Sequence, residues 1–420
     1  MKIGEPSLAG TRINELDGDS SEDRVPLLLL GWTFLRIGAT AFGGFMALVS
    51  VVRNIVVERK KLLRDEELMD GISLATILPG PVAINVVAYV GYKLRGGIGA
   101  VVCATAVILP SFVLLVGFSI AYLEWGQLPV VDKAVAGFVP AVAAIILNAA
   151  WGMRKQALAG VPEILIAAVA GGLMVTVGGF YLTLGIVIGS GLLGLVLFAG
   201  VPPSGNGAAA PKPRSGLANT GGGWAWGIAV ALLLGFLLLF LIPIPGLSLY
   251  PGADLFVTFS GMSLILFGGG FVFIPLIQEI VVEGLQWVSQ TEFASAIALG
   301  QITPGPILIS AAFIGYKVHG LLGAFVATFA IFFPPALLMV TASRALEKIN
   351  HSPIIQRSLR GIRAAVLGLI ASAALVVGQS AQAHWASAAI LAATLIALIR
   401  FRVEVALIIP AAGIAGLILF

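Results

Sequence analysis

The chain has 420 residues, of which 59% are hydrophobic and only 10% charged, with a formal net charge of +4. Soluble domains carry about 25% charged residues, so this composition excludes a water-soluble globular protein. The small positive balance, without a basic cluster interleaved with aromatics, points away from nucleic acid as a partner and is read as loop charge that orients the chain in a lipid bilayer.

Residues 1–25 are polar and lack the charged-then-apolar order of a signal peptide, so a cytoplasmic tail is expected there. Apolar runs follow at about 27–52, 72–94, 97–123, 131–151, 162–178 and 180–199. The period-2 signature of a membrane β-barrel is missing, and the expected fold is an all-α polytopic integral membrane protein. The stretch "AGVPPSGNGAAAPKPRSGLANTGGG" has linker composition and divides the chain at 200–223. A connecting segment, 224–252, holds one more span at about 224–243. Further runs at 255–278, 296–316, 320–343, 360–378, 386–400 and 403–420 bring the expectation to about 13 transmembrane helices, with 26–199 and 253–420 as two repeats.

Loop charges place the N-terminus in the cytoplasm and the C-terminus on the periplasmic side. Lys93 with Arg95, Arg154 with Lys155, Lys212 with Arg214, and the cluster from Arg344 to Arg360 then all lie inside. The loop "RNIVVERKKLLRDEELMDG", 53–71, disagrees. It is read as a tolerated exception, the alternative being that the preceding run is a re-entrant hairpin.

Shifted by 225 residues, Thr33 to Pro81 aligns on Thr258 to Pro306 without a gap. The shared residues include Phe42-Gly43-Gly44 with Phe267-Gly268-Gly269, Glu58 with Glu283, Glu67 with Glu292, and two Pro-Gly-Pro triplets, 79–81 and 304–306. "GYK" then recurs at Lys93 and Lys317, and Pro110 matches Pro334. An odd number of spans between the copies turns the second upside down, the inverted-repeat plan of secondary transporters.

Proline and glycine break a membrane helix, and the backbone groups they free belong where a cavity is lined. Pro81 and Pro306 are expected as first residues of new half-helices, leaving the N–H groups of Val82 to Ile84 and Ile307 to Ile309 free. Such an end carries the positive pole of the helix dipole and favours an anion. The candidate binding set is therefore Pro79, Gly80, Pro81 and Asn85 with Pro304, Gly305, Pro306 and Ser310. Gly43, Gly44, Gly268 and Gly269 join it, although small residues equally suit close helix packing. The triplets have a packing reading too, as kinks.

Arg36, inside the first apolar run, is a site candidate whose alternative is snorkelling to the interface. Lys93 and Lys317 are expected to anchor helix ends or attract anions, and Arg360 and Arg363 to face a vestibule. Glu58 and Glu283 are candidate proton carriers, or solvated loop charges. Cys103 is the single cysteine, and no HExxH, CxxC or nucleotide-binding loop occurs, so no metal, cofactor or ATP motor is expected.

The paired "AFGG…LPGP" and "LFGGGF…TPGP" blocks, each followed by "GYK", resemble the chromate ion transporters of the long, two-domain type. The resemblance covers nearly all of the chain after residue 25. It implies a prokaryotic inner-membrane carrier that exports the chromate dianion, confers chromate resistance and runs on ion gradients. It also implies sulfate as a related substrate, the two being tetrahedral dianions. Thr303 in place of Leu78, and a third glycine at Gly270, suggest halves of unequal role. A carrier of another oxyanion, and more distantly a membrane-embedded enzyme, remain alternatives. The oligomeric state is left open, a homodimer included.

Overall fold

Peptide groups in an apolar chain must bond to one another, and helices do this within a single segment. The computed structural model describes residues 25–42, 44–126, 128–199, 235, 252–265, 270, 273–343 and 353–420. The tail at 1–24 and the expected span at 224–243 lie outside the described residues, Gly235 excepted. In the first half, α1 is Leu27–Thr40 and α2 is Gly44–Val52, continued by a π-helical turn, Arg53–Arg59. Then come α3, Asp65–Ile77, α4, Val82–Trp125, α5, Pro129–Ala157, α6, Val161–Thr176, and α7, Phe180–Leu197. The second half repeats the order. It has α8, Ala253–Ile265, and α9, Phe273–Gln278, with a π-helical turn at Glu279–Gly284. There follow α10, Gln290–Ile302, a 3-10 turn at Ile307–Ile309, and α11, Ser310–Ala342. The last are α12, Pro353–Gln379, α13, Trp385–Arg400, and α14, Val405–Leu419.

Among the described residues, α4, α5, α11 and α12 are long and apolar enough to cross a membrane, and α1, α6, α7, α8, α13 and α14 are shorter apolar helices. The protein is thus a multi-pass helical membrane protein. Both α4 and α11 consist of two limbs. Arg95 and Gly96, and equivalently His319 and Gly320, leave helical geometry, with Gly96 at φ 64 and Gly320 at φ 59. The limbs fold back so closely that Gly91 meets the backbone of Gly99, and Gly315 that of Gly323. A Cβ at any of these four would collide with main chain.

The chain also reverses at each Pro-Gly-Pro triplet. Gly71 of α3 lies against the Tyr89 ring of α4, each about two turns from the triplet. In the second half Lys317 forms an ion pair with Glu292. A straight helix would hold those two residues about 37 Å apart, 25 residues at 1.5 Å each. The expectation of one kinked span across 72–94, and across 296–316, is therefore corrected. Hydropathy reports apolar surroundings and is blind to the direction in which the chain runs through them.

A second reversal precedes each of these. Phe259 in α8 and Trp287 after the π turn have ring centroids 6.4 Å apart, where a straight helix would separate them by about 42 Å. In the first half, Gly31 and Gly38 of α1 pack on Val102 and Val107 of α4, so α1 runs parallel to the second limb of α4. The second limb is antiparallel to the first, which is antiparallel to α3. Hence α1 and α3 start at the same end, and α2 with its π turn must run back. The expected spans 27–52 and 255–278 are each two helices, α1 with α2 and α8 with α9.

The halves interlock. α4 packs on α11, α5 on α12, α13 and α14, and both α6 and α7 on α12. Glycine contacts set several of these crossings, Gly171 against Gly368 and Gly137 against Ala412 among them. One ion pair ties α6 to α12: Arg360 Nε donates to Glu163 Oε1 at 2.5 Å. Glu163 is fully buried and the Arg360 guanidinium lies 4.2 Å above the Phe198 ring. Removing one partner of a buried pair strands the other charge. Arg360→Ala is accordingly expected to destabilise the purified protein by about 3 kcal/mol, and Arg360→Met with Glu163→Gln by less. Thermal unfolding in detergent measures both, and an unchanged midpoint for Arg360→Ala would contradict the role.

Candidate functional site at the two Pro-Gly-Pro tips

Local chemistry explains each tip. At the first, α3 ends at Ile77, Leu78 is extended at ψ 150, Gly80 takes φ 107 and Pro81 is extended at φ −72, ψ 100. At the second, Thr303, Gly305 and Pro306 repeat this with ψ 144, φ 117 and φ −79. A positive φ of this size suits glycine alone, and proline fixes the extended residue that caps the next helix. Pro81 and Pro306 are therefore helix caps, one residue before the first helical position expected for them.

The freed peptide groups are fewer than expected. Ile84 and Asn85 N–H both donate to the Pro81 carbonyl, and Ile309 N–H donates to that of Pro306. Val82 and Ala83 at the first tip, and Ile307 and Leu308 at the second, donate to no carbonyl among the described residues. All four residues are buried. A buried N–H without a partner costs free energy comparable to a lost hydrogen bond, and such groups are rare.

Side chains add to this. Asn85, fully buried one turn past the first triplet, donates from Nδ2 to the Pro79 carbonyl at 3.2 Å, and its Oδ1, an acceptor, has no partner among the described residues. The same holds for the Oγ of Ser310, buried at the matching place in the second half, and for the buried Gln301 Nε2 and Ser260 Oγ. Each such atom costs about 1–3 kcal/mol unless a ligand or water meets it.

The tips are seated on the opposite halves. Gly80 packs on the Pro335 ring of α11, and Gly305 on the Ser111 side chain of α4. The Ser111 hydroxyl donates to the Pro304 carbonyl, and Gly305 N–H donates to the Ala41 carbonyl at 2.9 Å. Ala41 caps α1 where the first Phe-Gly-Gly segment begins. Gly270 sits beside the second tip, where a Cβ would lie 2.7 Å from Ile307. The second tip thus meets both helix breaks. Gly44 opens α2, whereas Gly43, Gly268 and Gly269 lie outside the described residues.

The other candidates are more distant. Arg36 is on the exposed face of α1, its guanidinium 5.1 Å from the Trp32 ring. Lys93 lies 5.7 Å from the Tyr89 ring, and Lys317 pairs with Glu292, both at the bases of the hairpins. Glu58 and Glu283 are exposed on the two π turns, and Glu58 accepts a hydrogen bond from Asn54. Thr303 turns its hydroxyl back to the Gly300 carbonyl at 2.8 Å. Sequence reasoning missed Ser111, Gln301 and Ser260. The available signal for Ser111 was its place beside Pro110, the residue that matches Pro334.

Duplicated halves and reversals inside an apolar helical protein suit a membrane transport protein. The chain belongs to the chromate transporter family, which matches residues 28–195 and 253–417. It is 30% identical over 349 residues, 82% of this chain and 83% of the relative, to a probable chromate transport protein of Synechococcus elongatus. It is 29% identical over 402 residues, 92% of each chain, to a chromate transport protein of Cupriavidus metallidurans. A chromate transport protein of Pseudomonas aeruginosa is 26% identical over 92% of this chain and 91% of its own. No solved structure matches.

Gly80→Ala and Gly305→Ala should each lower thermal stability, through the positive φ and the collision with the other half, by about 1–3 kcal/mol. Gly97→Ala, at a position with open space around it, should leave stability unchanged or raise it slightly. Melting curves of the three variants check this. Equal tolerance at all three positions would contradict the tip geometry.

Proposed function

We propose that the protein is a secondary-active carrier that exports chromate across the inner membrane and confers chromate resistance. The observation that carries this reading is the set of N–H groups at two helix starts, Val82–Ala83 and Ile307–Leu308, that donate to no carbonyl among the described residues, with the Ser310 hydroxyl and the second Nδ2 proton of Asn85 beside them. Their partial positive charge stabilises a tetrahedral dianion stripped of water. The anion would be released without separating from a full countercharge. The names of the relatives supply chromate. Sulfate, of the same charge and shape, is the competing substrate.

The membrane topology proposed here uses the reversals. The α1–α2 and α3–α4 hairpins enter and leave from the cytoplasmic side, and the α8–α9 and α10–α11 hairpins from the periplasmic side. Crossings are then made by the second limb of α4, α5, α6, α7, the span at 224–243, the second limb of α11, α12, α13 and α14. The N-terminus stays cytoplasmic and the C-terminus periplasmic, as the loop charges require. The loop at 53–71 moves to the cytoplasm, where its five basic residues obey the positive-inside rule.

Two outcomes test this. A reporter fused after Lys60 should read cytoplasmic, and a periplasmic reading would contradict the first reversal. In proteoliposomes, labelled chromate should be transported by the protein and competed by sulfate. Asn85→Ala and Ser310→Ala are expected to reduce the initial rate about tenfold or more, the loss of one hydrogen bond to a charged ligand being worth about 1.5–3 kcal/mol. Arg36→Gln should reduce it as well if the exposed guanidinium gathers the anion. Uptake of sulfate without chromate would replace the substrate, and uptake of neither would remove the reading.

A further inference from the structure

The two Pro-Gly-Pro hairpins are built alike and held differently. The second is fastened to the other half at its tip and closed on itself at its base. At its tip the Gly305 N–H donates to the Ala41 carbonyl at 2.9 Å and the Ser111 hydroxyl donates to the Pro304 carbonyl, both across the interface between halves. At its base Lys317 pairs with Glu292, whose carboxylate also accepts from Ser289 N–H at 2.8 Å.

The first hairpin has looser attachments. Gly80 packs on the Pro335 ring, which has no hydrogen to donate, and Leu266, the counterpart of Ala41, lies outside the described residues. Lys93, the counterpart of Lys317, faces the Tyr89 ring and has no carboxylate at ion-pair distance among the described residues, although it interacts through space with Asp70. Glu67, the counterpart of Glu292, is engaged in its own first turn, accepting from Arg64 N–H at 3.1 Å. Arg53 pairs with Asp65 at 2.6 Å, but this links α3 to the preceding π turn rather than to α4, and both side chains are about half exposed.

The difference at the tips is written in the sequence. Ser111 follows Pro110 in α4, and Pro335 follows Pro334 in α11, so the two residues occupy equivalent places in the repeats. A serine can donate to a carbonyl of the tip packed on it, and a proline cannot. Displacing the second tip breaks the hydrogen bond from Ser111, and the first has no such bond from Pro335.

We propose that the first hairpin, residues 65–94, is the moving gate of the oxyanion site and the second, 290–317, its fixed wall, with Ser111 the positioning residue that fixes it. This rests on the oxyanion-transport reading. The gate carries at its base the Lys93 ammonium, which makes no ion pair among the described residues and faces the side from which the anion enters. Closure brings the dianion between the two tips, and the wall keeps its geometry throughout.

Distances between spin labels test it. Cys103 is buried, so labels at introduced cysteines report alone. One pair, Glu66→Cys with Val161→Cys, spans the gate and the start of α6. The other, Thr291→Cys with Trp385→Cys, spans the wall and the start of α13. All four positions are exposed, and Glu66 and Thr291 are equivalent in the repeats. In liposomes whose counterflow of chromate or sulfate has been measured, adding chromate should shift the first distance by about 5 Å, one turn of helix, and leave the second unchanged. Ser111→Pro, which copies the second half, should free the wall so that the second distance also shifts. Ser111→Ala should do the same without a second proline. A shift of the second pair alone, equal shifts of both in the wild-type background, or no shift in a protein that transports would overturn the assignment. Absence of counterflow for either oxyanion would instead remove the transport reading on which it rests.

Discussion

An apolar chain that reverses direction inside itself must leave peptide groups without helical partners, and most of this structure follows from where those groups are put. Each Pro-Gly-Pro triplet makes a reversal that no other residue types tolerate as well, with glycine in the left-handed region and proline as the extended cap. The reversal leaves two N–H groups per tip without a carbonyl partner among the described residues. Burying each tip against the opposite half keeps lipid away. The interlocking of the halves, the glycine crossings and the Glu163–Arg360 tie all serve to hold that arrangement closed.

The resulting chemistry suits a doubly charged oxyanion that has to be released again. A fixed cation at the tips would bind chromate tightly and slow its departure. Peptide dipoles and neutral amide or hydroxyl groups supply the field with less depth. Charged residues stand farther away, at the hairpin bases, where Lys93 and Lys317 occupy matching places in different states of pairing. The repeat is thus alike in its backbone and unlike where the tips are seated, with a donor, Ser111, packed on one and a proline, Pro335, on the other.

Much of this was legible in the sequence. Helical class, membrane burial, duplication and the location of the breaks follow from hydropathy and from the recurrence of Pro-Gly-Pro at an offset of 225 residues. The reversals were not, because a kinked span and a hairpin of two half-helices have the same composition. Their trace was present in the loop at 53–71, whose basic residues are misplaced if the preceding run crosses the bilayer. The role of Ser111 was hidden for a different reason. A lone serine in an apolar helix usually bonds to its own preceding turn, as Ser119 does to Leu115, and only the fold brings Pro304 within its reach. Glu58 and Glu283, prominent because they recur, prove to be exposed on the π turns.

The central claim is that the oxyanion sits between the two tips. Chromium scatters anomalously, so diffraction from crystals grown with chromate, with data collected at the chromium absorption edge, locates the ion without assumptions about its ligands. The account predicts one strong peak within hydrogen-bonding distance of Val82 or Ala83 N–H and of Ile307 or Leu308 N–H. A peak beside Arg36, Lys93 or Lys317, with none between the tips, would contradict it.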